Sequence, residues 1–266
     1  GFAISAEGTT ILIDPYVSRV GMAALAGRSP LVADRRAIDR WVPRADAVLV
    51  GHTHFDHALD VPAIARRDRA TVFGGASCRR LMAVNGLEHL AAEVEPHRPI
   101  AIGPFTVTFV PSVHSKLWLG RSVPNGGEVT CEHVSDLGPK AYGCGEVWGI
   151  HIEVDGSTIY HQGSADLIDD EVRHSDVDVF LCGVAGRQVT DRYLERMLGR
   201  LEPRTVVVTH HDDFFRKLDA PQRFAFGVDV AGFPEEVAAV SKDFRVVTLP
   251  PVVDAGGLFS PGRPAT

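Results

Sequence analysis

The chain has 266 residues, 45% of them apolar, enough to bury one large core or two tightly fused halves. With 23% charged residues and a formal net charge of -7, it lacks the basic footprint of a nucleic-acid or anionic-membrane binder. No apolar run reaches the ~20 residues of a membrane span and no secretory pattern opens the chain, so a soluble, cytoplasmic setting is expected. The opening GFAISAEG is already strand-like and lacks methionine, as if a preceding piece had been left out. Cys78, Cys131, Cys144 and Cys182 are scattered without a CxxC pair, the usage of reduced intracellular thiols, with a Cys131–Cys144 pair as the alternative.

In chain order, FAISA, TILIDP and AVLVG read as strands, followed by helices over about 60–68 and 76–85 and by a strand at FTVTFVP. VWGIHIEV and STIYHQG flank Asp155-Gly156, a two-residue hairpin turn. DVFLCGV, a helix over 190–200, TVVVTH, a helix over 234–242 and FRVVTL complete the series. The last helix has Pro234 at its start, Glu235 and Glu236 in its first turn and Lys242 near its end. Several strands are unbroken apolar runs, as in sheets covered on both faces, and no linker divides the β-then-helix halves; a single α/β domain over 1–266 is expected. Residues 115–146, rich in glycine and turn residues, break the pattern and read as a lid insertion carrying Trp118 and Tyr142.

The stretch VLVGHTHFDHALD places His52, His54, Asp56 and His57 within six positions behind an apolar strand. Imidazole nitrogen with carboxylate oxygen suits zinc and neighbouring first-row metals. If the chain stays extended after the strand, His52 and His54 converge on one ion, whereas Asp56 and His57 follow a turn and face a second direction. The bland alternative is a histidine-rich polar loop.

HTHFDH after an apolar strand resembles the HxHxDH motif of the metallo-β-lactamase fold, an αββα four-layer sandwich with its metal site at one edge of two sheets. ILIDP resembles the early strand whose aspartate, here Asp14, supports the motif; VPSVHS supplies His114 and TVVVTHHDDFF supplies His210, with His211 in the adjacent position. The chain looks closest to the branch of ascorbate-6-phosphate lactonase-like and N-acyl-phosphatidylethanolamine phospholipase D-like hydrolases. The resemblance implies His52, His54 and His114 at one metal and Asp56, His57 and His210 at a second. In place of the family's Gly-Asp, which bridges the ions, the chain reads YHQGSADLIDD. Ser164 stands where the aspartate would fall; Asp166, two positions on, is the expected replacement, its alternative role being a helix cap before Leu167.

The resemblance implies a metal-dependent hydrolase, with two zinc ions expected and manganese or iron as alternatives. Its substrate would be a small molecule with an ester-like bond: a lactone, phosphodiester, carboxylic ester or amide. Two ions would lower the pKa of a shared water, with Asp56 orienting the resulting hydroxide and a second-site group, His210, returning a proton to the leaving group. The other class is a non-hydrolytic metal-binding or regulatory protein with an incomplete second site; a nuclease would want a basic surface, which is not evident. Neither nucleic acid nor a membrane span is expected, and the oligomeric state is left open. Lys116, Arg121 and Arg187 are candidate readers of a substrate anion, each with an ordinary surface charge as its alternative. His151 and Glu153 lie on the polar face of one strand, and His161 precedes a glycine turn. A zinc site from Cys131, His133 and Cys144 matches no compact ligand spacing.

Overall fold

A computed structural model describes residues 1–27, 29–116, 121–225 and 227–249. Its strands are β1 Phe2–Ala6, β2 Thr9–Ile13, β3 Ala47–Leu49, β4 Thr71–Gly74, β5 Ala91–Glu93, β6 Pro99–Ile102, β7 Phe105–Ser112, β8 Val147–Val154, β9 Ser157–Gln162, β10 Val179–Gly183, β11 Thr205–Thr209 and β12 Arg245–Thr248. They form a five-stranded sheet, β1-β2-β3-β4-β5, and a seven-stranded sheet, β12-β11-β10-β9-β8-β7-β6. In the first sheet only β1 and β2 run antiparallel; in the second, β9 to β12 are parallel and β6 to β9 antiparallel.

Side-chain alternation builds the layers. Ile11, Ile13, Ala47 and Leu49 of the first sheet face Phe105, Val107, Phe109, Ile150, Ile152 and Val207 of the second across one core. Their neighbours point outward: Leu12 and Val48 meet Ile38, Ile64 and Leu81 of the covering helices. On the other side, Tyr160, Phe180, Val206 and Val208 meet Leu194, Met197, Leu198, Leu201 and Phe233. Strands buried on both faces need both kinds of position apolar, which is why their sequences run unbroken. The expected αββα sandwich is thus present.

The helices are α1 Met22–Leu25, α2 Arg35–Trp41, α3 Phe55–Ala58, α4 Val61–Asp68, α5 Ala76–Val84, α6 Tyr193–Leu201 and α7 Phe233–Val240. Asp34 starts α2 by accepting from the backbone N–H groups of Arg36 and Ala37 at 3.0 and 3.1 Å. Pro234 sits in the first turn of α7 as expected, but that helix stops at Val240, short of Lys242. Asp155 and Gly156, at φ 49° and 71°, close the β8–β9 hairpin with Val154 paired to Ser157, the left-handed two-residue turn their identities predict. All four cysteines are free, so the Cys131–Cys144 alternative is not realised.

The segment expected to be a lid is largely built into the molecule. Val129, Leu137 and Tyr142 are buried in the core cluster outside the first sheet. Leu31 N–H donates to the Leu137 carbonyl at 2.8 Å. Trp118 lies outside the described residues. Among those described, no helix is long and apolar enough to cross a membrane.

Candidate metal centre

The histidine motif leaves β3 extended as far as His54 and then makes one helical turn, with the N–H groups of His57 and Ala58 both donating to the His54 carbonyl at 2.9 Å. This turn separates the directions of the motif as its spacing predicts. His52 and His54 meet His114, which follows β7; Asp56 and His57 meet His210, which follows β11. Within each trio one donor atom per residue lies within 4.8 Å of the others.

All of these groups stand at the carboxyl ends of strands, at the edge where the two sheets meet. Asp14 and His210 each occupy the residue immediately after a strand and adopt left-handed φ values of 45° and 56°. Aspartate and histidine tolerate that region better than most residues, and it turns the side chain off the strand line towards the centre. Asp14 then accepts from Gly51 N–H at 2.7 Å and from His57 Nδ1 at 2.8 Å. A Cβ at position 51 would lie 2.9 Å from the Asp14 carboxylate, so any residue but glycine would displace that carboxylate from its bonds.

Hydrogen bonds select the ring nitrogen that each histidine presents. His57 donates its Nδ1–H to Asp14, which leaves Nε2 to present a lone pair. His114 donates Nδ1–H to the Ser115 carbonyl at 2.8 Å and likewise presents Nε2. His54 donates Nε2–H to the Pro124 carbonyl at 2.8 Å and presents Nδ1. His52 Nε2 is buried with no hydrogen-bond partner among the described residues. An orphaned nitrogen amid three other imidazoles is poor packing for a protein alone, but it is what a cation needs.

The second trio gives a sharper test of fit. His57 Nε2 and His210 Nε2 are 3.2 Å apart, His210 Nε2 and Asp56 Oδ2 3.3 Å, and His57 Nε2 and Asp56 Oδ2 3.6 Å. Donors bound tetrahedrally at ~2.0–2.1 Å stand roughly 3.3 Å from one another. The second trio therefore fits a divalent first-row ion, and the first brings its three donors within 4.8 Å of one another.

The electrostatics point the same way. Burial, then the neighbouring imidazoles, pushes His52 well below the usual histidine range, and burial followed by His54 pushes His114 down to about 4. Both rings are neutral, the form that binds metal. Burial works to lower His57 too, but the Asp14 and Asp56 carboxylates outweigh it and raise its pKa. Burial would raise Asp56, yet His57 and His210 overcome it and hold the carboxyl ionised. The pocket thus favours positive charge between Asp56 and Asp14.

Asp166 requires a correction, because it is not among the converging donors. Its Oδ1 accepts from Leu167 N–H at 2.9 Å and lies 3.7 Å from Arg196 Nη1, turned towards α6. The backbone after β9 spends its turn on Gly163 and Ser164, so the carboxylate two positions later has already passed the centre. Ser164 is itself used: its hydroxyl accepts from Ser115 N–H at 2.9 Å, tying down the segment that carries His114. The helix expected from about Leu167 is absent; only a 3-10 turn, Asp169–Glu171, follows.

Other candidates separate clearly. Arg187 is no anion reader, being buried with its guanidinium on Glu236 and on the Asp229 carbonyl. Lys116 and Arg121 are exposed. His151 stacks on His174 at 3.7 Å. His161 is buried in the wall of a cavity beside Asp14 and Gly163. Cys131, His133 and Cys144 form no donor cluster among the described residues. Tyr16 and Arg19 line the same cavity as Asp56, His57 and His210. Sequence reasoning passed them over because they sit in an irregular stretch with no metal-binding chemistry of its own.

Two sheets, helices on both outer faces and histidine clusters at one sheet edge define the metallo-β-lactamase fold, and residues 9–211 match the pattern of the beta-lactamase superfamily domain. The chain belongs to that superfamily and is, as a class, a metal-dependent hydrolase. A UPF0173 metal-dependent hydrolase of Anaeromyxobacter dehalogenans is 28% identical over 276 residues, covering 99% of this chain and 82% of that protein. The metallo-hydrolase Igni18 of Ignicoccus hospitalis superposes with a TM-score of 0.56 at 18% identity, over 94% of this chain and 91% of that one. The metallo-β-lactamase fold protein YhfI of Bacillus subtilis superposes with a TM-score of 0.59 at 15% identity, over 94% and 88%.

Proposed function

We propose that the protein hydrolyses a small ester-like molecule (a lactone, carboxylic ester, phosphodiester or amide) at two divalent ions, zinc before manganese or iron. The observation that carries this reading is the Asp56, His57, His210 triangle, with sides of 3.2 to 3.6 Å. His52, His54 and His114 would hold one ion, and Asp56, His57 and His210 the other. Ions held there would polarise an ester-type oxygen and make water acidic enough to attack near neutral pH.

The chain's own groups supply the order. Asp56, kept ionised by its histidines, accepts a hydrogen bond from the attacking water and so orients it. His210, with a side chain 20% exposed, is the metal donor that substrate reaches, and the proton that Asp56 takes from the attacking water would return from this second-site trio to the leaving group. Asp14 fixes the ring of His57, and Ser164 fixes the backbone behind His114. The segment 121–146 flanks the centre: Pro124 braces His54, and the Gly143 carbonyl accepts from Thr53 Oγ1 at 2.6 Å. Free thiols throughout favour the cytoplasm as the site of action.

Elemental analysis of protein purified without chelator should find about two ions per chain, and the loaded protein should turn over one class in a panel of lactones, phosphodiesters, esters and β-lactams. That panel also decides between the lactonase-like and phosphodiesterase-like branches. Full activity in a metal-free preparation would overturn the reading.

A further inference from the structure

The turn after β2 carries chemistry that the metal donors leave unused. Asp60 pins its middle by accepting from the N–H groups of Val17 at 2.6 Å and Ser18 at 2.9 Å. Tyr16 and Arg19 are thereby held on the wall of a cavity of about 60 Å³ that also exposes Asp56, His210, Asp212 and Phe214. The Arg19 side chain is only 10% exposed. Its Nη1 donates to the Asp212 carboxylate and, at 3.4 Å, to the Asp213 carbonyl. Its Nε–H is buried and has no acceptor among the described residues. The guanidinium lies 5.6 Å over the Tyr16 ring, and the Tyr16 hydroxyl accepts from Val20 N–H at 2.9 Å. That bond occupies an oxygen lone pair and leaves the hydroxyl proton free to donate; burial keeps the group protonated by raising its pKa.

We infer that this turn is the subsite for an anionic oxygen of the substrate, a carboxylate or a phosphate, received by the Arg19 guanidinium and the Tyr16 hydroxyl beside Asp56 and His210. A role as a strut for Asp212 accounts for Nη1 but leaves Nε, a buried donor of a charged group, without a partner among the described residues. The guanidinium fork suits planar, bidentate oxygen groups. Asp14, Asp56 and Asp212 outnumber Arg19 in the bare cavity; with two dications held by the donor trios the balance would reverse and favour an anion. The inference rests on the hydrolase reading and narrows its substrate to a small ester-like molecule with a negative group next to the scissile bond.

The test pairs binding with turnover. Metal-loaded protein is titrated calorimetrically with inorganic phosphate and with acetate, and is assayed on an uncharged ester and on the same ester bearing a carboxylate or phosphate. Arg19→Gln should weaken the recognised anion about tenfold or more and cut kcat/KM for the charged ester by a similar factor, the scale of one charge-assisted hydrogen bond, while the neutral ester is unchanged. The anion whose binding falls identifies the group. Arg19→Lys, which keeps the charge without Nε–H, and Tyr16→Phe should each weaken the charged ester alone, severalfold, and they carry the comparison if Arg19→Gln does not fold. Equal losses on both esters, or unchanged anion affinity, overturn the inference while leaving hydrolysis standing. A wild-type protein that cleaves neither ester, yet binds anions more tightly than Arg19→Gln, fails the hydrolase reading and keeps the subsite.

Discussion

At the scale of single residues, hydrogen bonds behind the donors decide the chemistry. Asp14 removes one tautomer of His57 and supplies charge beneath it, so Asp14→Asn should lower metal affinity roughly 10–100-fold, measured by competition with a chromophoric chelator, with the fold intact. Asp166→Ala should leave the metal content unchanged and cost about 1 kcal/mol or less in a urea melt, because among the described residues its carboxylate serves Leu167 and Arg196. Loss of an ion in that variant would restore Asp166 to the centre. The contrast marks how far sequence reaches at this scale. HTHFDH stood out because dense histidines behind an apolar strand are rare and their chemistry is specific, whereas His114 and His210 were picked out only through the family resemblance. Asp166 and Ser164 were not legible, since two residues of turn geometry decide which side chain faces the site. Nothing local in PYVSRV announces that Arg19 closes on Asp212, 193 positions away.

At the scale of elements, long buried strands and amphipathic helices declared themselves, whereas β4, β5 and β6 did not. Each of these has only three or four residues, AAE and PIAI carry little β-branched pattern, and they exist because the neighbouring strand offers a hydrogen-bonded edge. The helix α6 packs Leu194, Met197, Leu198 and Leu201 against the sheet that delivers His210. Leu198→Ala should cost about 2–5 kcal/mol, read from the urea midpoint at constant slope. On the antiparallel part of that sheet, His151 lies flat against His174 with Glu153 at 3.6 Å and Tyr160 beside them. Burial, then His174, pushes His151 down to about 4, and burial also lowers His174, with Glu153 opposing and His97 assisting. An unfolded histidine titrates near 6.5, so between that pH and about 4 the unfolded chain binds the extra proton. Stability conferred by the neutral ring is therefore complete above ~6.5 and falls with pH by up to ~1.4 kcal/mol per unit for one proton. His151→Phe keeps a ring in the stack and should flatten that slope by about one proton in urea melts from pH 4.5 to 7. An unchanged slope would show that His151 does not titrate in this window.

At the scale of the whole molecule, the centre joins the two sheets: Asp14 and the HTHFDH histidines come from the five-stranded sheet, His114 and His210 from the seven-stranded one. Ions that bind this arrangement and not the unfolded chain stabilise it by mass action, about 4 kcal/mol at a thousandfold excess over Kd. For a chain of this size, stripping metal with a chelator should lower Tm by roughly 10 °C, and adding zinc should restore it in a scan. An unchanged Tm would mean that the two sheets do not share the ions.

The same division has a consequence for biosynthesis. About 150 residues separate His57 from His210, and at ribosomal speeds of 5–20 residues per second that interval lasts roughly ten to thirty seconds. Early in it the nascent chain would display His52, His54, Asp56 and His57 without His114, and for the rest of it Asp56 and His57 without His210. Only when β11 pairs into the sheet does His210 close the second trio, so an ion held there would be secured later than one held by His52, His54 and His114.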